Sequence, residues 1–232
     1  MRAAYERLTS ILSDPDECGM SALDCIYEIM ENEVQRRDSN ALARRLKEAK
    51  ICLPNARPDT IDFSIERGLD KNKIDALLTM RWMEEHQNII ITGAAGCGKT
   101  FLACALVNQA CIKGRTARVV RVPLLLNQMA ASHQIVETYF KKLKEMKTID
   151  LLVLDDWGIG QLDARSRQDL LEIINERYMY ASTIVTSVLP VNKWSEYIND
   201  TTYSDAILDR LVSVSHRVEL NGASVRQMKE YG

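Results

Sequence analysis

The chain has 232 residues, of which 46% are hydrophobic, and its formal net charge is −2. This length can hold one ordinary domain of about 150 residues and a smaller appendage, and the hydrophobic fraction is sufficient for a buried core. The net charge excludes a basic field over the whole protein, so any contact with nucleic acid would have to come from local basic patches.

Neither a signal peptide nor a membrane span is predicted. The N-terminus lacks the basic, apolar and small-residue sequence of a signal peptide, and no apolar run approaches the roughly 18 residues of a membrane span. We therefore expect a cytoplasmic protein without a membrane partner. The six cysteines include no C-x-x-C pair, which argues against a zinc module, and in the cytosol they should remain thiols.

The first fifty residues are predicted to be helical. One helix covers residues 3–12 and a second runs from 21 to about 50, with a break near 38–40, before two prolines close the region. This pattern predicts a small helical N-terminal domain over residues 1–58 that contacts a partner or DNA. The end of this region is locally basic, and a solvated helix face explains that excess as well as a binding surface does.

Strands and helices alternate over residues 59–232, and Asp70 is the predicted N-cap of the first helix. The predicted strands are 88–92, 117–122, 150–154, 183–187 and 216–220. The predicted helices are 71–83, 101–107, 123–130, 135–147, 164–180, 191–198 and 203–212. Such alternation predicts a three-layer α/β domain built on a parallel sheet.

A complete phosphate-binding loop follows the first of these strands. It matches the pattern G-x-x-x-x-G-K-[ST] and consists of Gly93, Ala94, Ala95, Gly96, Cys97, Gly98, Lys99 and Thr100. In such a loop the backbone N–H groups surround the phosphates, the lysine reaches the β- and γ-phosphates, and the hydroxyl binds magnesium. The dipole of the helix that follows adds to the anion site. The sequence therefore predicts a site for a nucleoside triphosphate and Mg²⁺.

Two aspartates end the third predicted strand. Asp155 lies where an open parallel sheet binds ligands, so it should hold Mg²⁺ through water with Thr100 as the direct ligand. Asp156 is the candidate base or water-orienting group for attack on the γ-phosphate, and a turn or helix-capping acid is the alternative. Because many ATPases of this type carry Glu there, the shorter Asp predicts slow or partner-dependent hydrolysis.

Hydroxyls and arginines further along the chain complete the candidate catalytic set. The fourth strand ends in Thr186 and Ser187, and Ser187 is the preferred group for contacting the γ-phosphate or the attacking water, with Thr186 close behind. Arg210 and Arg226 are candidates for stabilising charge on the γ-phosphoryl oxygens, from the same chain or a neighbour. A surface ion pair and a solvated terminal arginine are the respective alternatives.

The order of these motifs resembles the AAA+ class of P-loop ATPases and, more narrowly, the IstB-like group. The segments that carry the likeness are 44–50, 61–63, 124–129, 152–158, 182–190 and 205–211. The resemblance implies an ATP-binding helper of a DNA transposase, which assembles on DNA as a homo-oligomer and regulates the transposase through ATP hydrolysis.

The resemblance also implies roles for single residues. Lys99 and Thr100 would bind ATP·Mg, with Asp155 on the magnesium and Asp156 on the water. The first sensor, the arginine finger from a neighbouring subunit and the second sensor would be Ser187, Arg210 and Arg226. Two departures weaken this assignment: Val188 stands where relatives often have Asn or Gln, and the chain ends at Gly232, without room for a full C-terminal helical lid.

Other functions fit parts of the same pattern. A replicative helicase loader of DnaC type shares the ATPase domain. A small-molecule P-loop kinase would need an arginine-rich lid that the sequence does not offer. A third alternative is a DNA scaffold that binds ATP without cleaving it. Sequence-independent DNA contact through phosphates could come from either of two basic sets. These sets are Lys113, Arg115, Arg118 and Arg121, and Lys141, Lys142, Lys144 and Lys147.

Overall fold

The computed structural model describes residues 2–13 and 21–221, and the chain divides into two units, 1–45 and 46–232. Helix α1 (Arg2–Ser13) and most of helix α2 (Ala22–Glu48) belong to the first unit. Arg7 of α1 forms an ion pair with Glu28 of α2. The expected absence of a full C-terminal lid concerns residues beyond the described range.

Helix α2 continues through residues 38–40, so the predicted break is wrong. These three polar residues each cost a helix only about 0.5–0.7 kcal/mol relative to alanine, and neither Gly nor Pro is among them. One turn earlier, Glu33 pairs with Arg36 at 3.1 Å and with Arg37 at 2.9 Å. Pairs at this spacing stabilise a continuous helix.

Residues 46–58 belong to the second unit, although the sequence placed them in the N-terminal domain. Ala49 and Ala56 are fully buried. The Ala49 carbonyl accepts a 2.8 Å hydrogen bond from the Val119 amide in the sheet. Because these contacts tie the segment to the second unit, the boundary lies between residues 45 and 46 rather than at residue 58.

A parallel sheet forms the centre of the second unit, with the strand order β2-β3-β4-β1-β5. The strands are β1 (Asn88–Gly93), β2 (Ala117–Arg121), β3 (Leu151–Trp157), β4 (Ser182–Ser187) and β5 (Ser215–Leu220). Every predicted strand is present, and β3 continues beyond its predicted end at residue 154. The C-terminal ends of all these strands meet at one edge of the sheet.

Helices precede β1 and also occupy the connections between the strands. They are α3 (Lys71–Leu78), α4 (Arg81–Glu84), α5 (Lys99–Ile112), α6 (Val122–Ser132), α7 (Val136–Thr148), α8 (Ala164–Arg177), α9 (Trp194–Ile198) and α10 (Thr201–Val212), with short 3₁₀ helices at Pro58–Thr60 and Val191–Lys193. None of the helices in the described ranges is long and apolar enough to cross a lipid bilayer.

Both faces of the sheet are buried. Ile90 and Val185 pack on one face with apolar residues of α6, α8 and α10. Their strand neighbours Ile89 and Ile184 point to the opposite face and are also fully buried, and α5 contacts the central strands. Burial on both faces is typical of a parallel sheet between two helical layers. The predicted three-layer α/β fold is therefore confirmed.

The predicted helix 71–83 is instead two helices, α3 and α4. Asp70 caps α3 as predicted, accepting hydrogen bonds from two backbone amides of the first turn. Met80 then adopts a left-handed conformation with φ of 67° and turns the chain. Trp82 is thereby buried, and its indole N–H donates to the Leu77 carbonyl at 2.9 Å. Burial of the Trp82 side chain overrides the helical propensity of residues 79 and 80, which lie between the two helices.

Arg177 is a buried cation that joins α8 to the sheet and to the end of α7. Its guanidinium donates to the carbonyls of Met146 (2.6 Å), Ile149 (2.8 Å) and Ser182 and to the Thr183 hydroxyl (3.1 Å). The residue is only 2% exposed, and this burial lowers the pKa of the guanidinium to about 9. The four acceptors offset the cost of removing the charge from water.

Replacing Arg177 with methionine should lower the free energy of unfolding by about 3 kcal/mol, because buried carbonyl and hydroxyl groups would lose their donor. Urea unfolding followed by circular dichroism measures this difference. The exposed Arg165 on the same helix provides the matched control, Arg165→Met. A loss below about 1 kcal/mol in Arg177→Met would contradict a stabilising role for these hydrogen bonds.

Candidate nucleotide-binding site

The phosphate loop, residues 93–100, connects β1 to α5. Gly93 and Gly98 have φ angles of 147° and 100°, which other residues rarely adopt. An added Cβ would lie 2.1 Å from the Leu220 carbonyl oxygen at the first position and 2.5 Å from Arg67 Nη1 at the second. Both positions therefore require glycine. Helix α5 begins at the end of the loop, so the amides of its first turn lack intrahelical acceptors and are available to an anion.

The Lys99 side chain lies inside the curve of this loop. It is 9% exposed, and its amine donates to the carbonyls of Gly93 at 2.8 Å and Ala94 at 2.7 Å. The ammonium group is thus enclosed by the loop that would surround the phosphates. A cation in this place can neutralise charge on the β- and γ-phosphates.

The tip of β3 meets the start of α5 at Asp155. This residue is 4% exposed, and its Oδ1 accepts hydrogen bonds from Thr100 Oγ1 at 2.9 Å and from the Thr186 hydroxyl. Hydroxyl and carboxylate oxygens are the ligands that Mg²⁺ prefers, and it commonly takes only one or two from a protein when phosphates supply others. The oxygens gathered here fit magnesium, and Thr100 and Asp155 are the residues that would hold it.

Asp156 is engaged by an arginine of the neighbouring strand. Its backbone has φ of 62°, and its carboxylate accepts a 2.6 Å hydrogen bond from Nε of Arg121, the last residue of β2. The carboxylate raises the pKa of the Arg121 guanidinium above its ordinary value. The side chain of Asp156 is 29% exposed, so water can reach it. The structure thus pairs the candidate base with a cation that the sequence analysis assigned only to a DNA patch.

Replacing Arg121 with glutamine should raise the DNA-independent rate of ATP hydrolysis by roughly two- to five-fold, the effect of removing one exposed ion pair from the base. The rate of phosphate release measures this change. The double variant Arg121→Gln/Asp156→Ala is the control, because without the carboxylate the gain should disappear. An unchanged or lower rate in Arg121→Gln would contradict restraint of Asp156 by Arg121.

The two hydroxyls at the end of β4 have different surroundings. The Ser187 hydroxyl donates to the Trp157 carbonyl at 2.8 Å and accepts from the Leu189 amide at 3.0 Å, which occupies it in the chain turn after β4. The Thr186 hydroxyl instead contacts Asp155 and accepts from the Asp156 amide at 3.3 Å. This geometry brings Thr186, rather than Ser187, to the two aspartates at the tip of β3.

Arg210 lies away from the loop of its own chain. Its guanidinium donates to the Ala206 carbonyl at 2.7 Å and lies over the Tyr178 ring, 5.7 Å from the ring centroid. Its carbonyl accepts from Asn88 Nδ2 at 3.1 Å. Asn88 begins β1, whereas the loop follows the end of that strand, so the two lie at opposite edges of the sheet. Arg226, the other arginine candidate, lies outside the described residues.

A pocket of about 240 Å³ lies beside the phosphate loop. Besides loop residues, it is lined by side chains that the sequence analysis did not assign to the site: Leu53, Thr60, Asp62, Ile65, Arg67 and Phe101. Only Phe101 could have been expected there, because it directly follows the loop motif. The others come from the chain before α3, whose path over the loop no local pattern encodes.

The sequence profile described as IstB-like ATP binding protein matches residues 1–231. An insertion sequence ATP-binding protein, y4pL, of Sinorhizobium fredii is 39% identical over 94% of this chain and 89% of its own length. An ATP-binding protein in an insertion sequence of Mycobacterium tuberculosis is 29% identical over 90% of this chain and 83% of its own length.

Solved structures share the fold at lower sequence identity. DnaI aligns with a TM-score of 0.61 at 20% identity, covering 74% of this chain and 96% of the DnaI chain. The DnaC helicase loader aligns with a TM-score of 0.57 at 22% identity, covering 72% and 98%. AMPPCP-bound DnaA from Aquifex aeolicus aligns with a TM-score of 0.59 at 22% identity, covering 77% and 55%. At these identities the likeness shows the AAA+ fold alone.

Proposed function

The chain belongs to the family of IstB-like ATP-binding proteins, and on this basis we propose that it hydrolyses ATP as an oligomer on DNA and thereby regulates a transposase. The hydrogen bond between Thr100 and Asp155 carries the proposal, because it joins the phosphate loop and the acidic strand tip into one site. The relatives named as insertion sequence ATP-binding proteins support the transposition context.

The apolar part of the pocket beside the loop, lined by Leu53, Ile65 and Phe101, would receive the base of ATP. These apolar side chains suit a flat aromatic ring, and the same pocket also has polar lining residues such as Thr60, Asp62 and Arg67. The phosphates would then extend along the loop toward Lys99. Binding of the whole nucleotide therefore needs both the loop and the segment that precedes α3.

The residues around the loop can support hydrolysis of the γ-phosphate. Mg²⁺, when bound, would supply positive charge that neutralises the phosphate oxygens. Asp156 would orient a water molecule and accept its proton as the oxygen bonds to the γ-phosphorus and the bond to ADP breaks. Thr186 would position the carboxylates, and Lys99 would stabilise charge that develops on the phosphate oxygens.

The runner-up function is that of a DnaC-type helicase loader, which the fold likeness favours. The sequence relationship argues for the transposition helper, because family membership extends along nearly the whole chain. Co-purification of the full chain with the transposase of the same insertion sequence, and separately with the host replicative helicase, distinguishes them. Retention of the helicase alone would replace the proposed function with the runner-up.

The two basic sets of the sequence analysis differ in their ion pairs. In the first, Arg118 pairs with Glu145 at 2.7 Å and Arg121 pairs with Asp156. In the second, Lys147 pairs with Glu176. These arginines and Lys147 already have carboxylate partners, which reduces their attraction for phosphate.

Helix α7 is therefore the better candidate for the DNA surface, because three of its four lysines have no ion-pair partner among the described residues, against two of the four bases in the first set. Lys141 and Lys144, one turn apart, are exposed and have no ion-pair partner in the described part of the chain. Phe140 is 60% exposed beside them. Free lysines can contact DNA phosphates without reading the sequence, and an exposed aromatic ring adds contact area.

We expect the double variant Lys141→Ala/Lys144→Ala to weaken duplex binding and to flatten its salt dependence. The slope of log K against log salt concentration should fall in magnitude by about 2, because two phosphate contacts are lost. Fluorescence anisotropy with ATP present, at several salt concentrations, measures this slope. The control is Lys113→Ala/Arg115→Ala, which removes two exposed bases of the other set.

The ATPase rate of the wild-type chain, with and without duplex DNA, tests the proposal as a whole. DNA should raise turnover, because it gathers subunits whose sites are completed by a neighbour. Failure to hydrolyse ATP with DNA and transposase present would overturn the proposed ATPase activity. Equal slopes for the two double variants would instead overturn only the assignment to α7.

A further inference from the structure

Arg67 is a buried cation beside the phosphate loop. It is 5% exposed, and its Nη2 donates to the Asp62 carbonyl at 2.9 Å. Its own backbone carbonyl accepts a 2.8 Å hydrogen bond from the Asn221 amide, directly after β5, which fixes the position of the residue. Desolvation lowers the pKa of the guanidinium. Burial of a positive charge at such a place is costly unless an anion or several acceptors offset it.

The hydrogen bonds of Arg67 leave part of that cost uncompensated. Nε is buried and has no hydrogen-bond partner among the described residues. Nη1 makes a long contact, 3.4 Å, with the Cys97 carbonyl inside the loop. Arg67 and Lys99 both line the pocket beside the loop. The Asp62 side chain supplies part of the counter-charge. The nucleotide phosphates are anions that would bind within this region, so they can add to it.

Arg67 also contacts the backbone of the phosphate loop, and this contact can affect how the loop binds an anion. Nη1 lies 2.5 Å from the position that a Cβ on Gly98 would occupy, so the guanidinium lies against the loop with no intervening side chain. In the trans peptide between Cys97 and Gly98, the carbonyl and the N–H point in opposite directions. A cationic donor on the carbonyl polarises the peptide and strengthens its N–H as a donor to an anion.

We propose that Arg67 is a positioning residue for polyphosphate: its guanidinium orients the Cys97–Gly98 peptide of the phosphate loop and adds a second positive charge beside the one on Lys99. This inference rests on the proposed function only in that the ligand is a nucleotide with two or more phosphates. It assigns Arg67 no contact with the base, so the effect should depend on the phosphates.

Binding of ADP and of adenosine to Arg67→Met in the full chain tests this role without requiring hydrolysis. Methionine retains an unbranched apolar side chain but removes the charge and the donors. We expect the Kd for ADP to rise roughly ten-fold or more, because a charge-assisted interaction is lost, and the Kd for adenosine to change less than two-fold. Calorimetric titration for ADP and displacement of a fluorescent nucleotide for adenosine measure the two constants.

Arg57→Met is the matched control, because Arg57 is exposed on the same connecting segment. Arg67→Lys keeps the positive charge but loses the planar guanidinium, so it should bind ADP more tightly than Arg67→Met does. This variant also keeps the proposal testable if Arg67→Met does not fold. Equal losses for ADP and adenosine would show a packing role and overturn the proposal, as would unchanged ADP binding. A wild-type chain that binds no ADP would instead overturn the proposed function itself.

Discussion

Replacement of Lys99 with alanine should reduce ATP turnover by roughly 10²- to 10³-fold, the usual effect of removing one preorganised group that stabilises transition-state charge. The Lys99 amine lies within the loop, on the carbonyls of Gly93 and Ala94. No backbone amide can replace its full positive charge at this place. ATP affinity should fall as well, because the same charge acts on the bound phosphates before the reaction.

Steady-state phosphate release, with nucleotide binding measured separately, checks this expectation. Lys113→Ala, at the other end of α5, is the matched control and should leave DNA-independent turnover unchanged, because this lysine is exposed and lies beyond the last turn of the helix. Turnover of Lys99→Ala within a few-fold of wild type would exclude the phosphate loop as the catalytic site. The melting temperature of both variants should stay near that of wild type, since Lys99 fills no apolar core position.

Much of the site was predictable because one short motif determines its own geometry. The glycines at 93 and 98 are required by backbone angles and close neighbours, and a β-branched strand before them fixes where the loop lies in the sheet. The position of Asp155 was also predictable, because the C-terminal ends of parallel strands lie at one edge of the sheet. Its hydrogen bond with Thr100 confirms that the two candidate magnesium ligands come together.

The choice between Thr186 and Ser187 could not be made from the sequence. Adjacent strand residues point to opposite faces, so a difference of one position decides which hydroxyl faces the tip of β3. The strand pairing between β3 and β4 is irregular between Leu154 and Trp157, where Asp156 takes its left-handed conformation. That irregularity depends on the tertiary structure, and no local sequence pattern in either strand predicts it.

The pairing of Arg121 with Asp156 depends on strand order. Arg121 lies beside Asp155 in the register of β2 and β3, but the sequence alternation specifies a parallel sheet without saying which strands are neighbours. The pocket residues before α3 were missed for the same reason. Residues far apart in the chain meet there because hydrogen bonds anchor Ala49 to β2 and Arg67 to the residue after β5.

Arg210→Ala should lower DNA-stimulated turnover by roughly 10³-fold, within the range for an arginine that stabilises the transferring phosphoryl group. The Arg210 carbonyl contacts the first residue of β1, and the phosphate loop follows the last residue of this strand. Arg210 and the loop are therefore separated by the length of β1, roughly 16 Å. That separation is longer than a side chain can span. A catalytic Arg210 must therefore act on a nucleotide held by another subunit, and ATP binding to its own chain should be unaffected.

Mixing two inactive variants tests this geometry most directly. Arg210→Ala subunits keep an intact loop and Lys99→Ala subunits keep an intact arginine, so an equimolar mixture on DNA should recover about a quarter of wild-type turnover if head-to-tail contacts form at random. Arg217→Ala, which removes an exposed arginine of β5, is the control and should remain active alone. A mixture that stays inactive, while each variant binds DNA, would exclude Arg210 as the group that completes a neighbouring site.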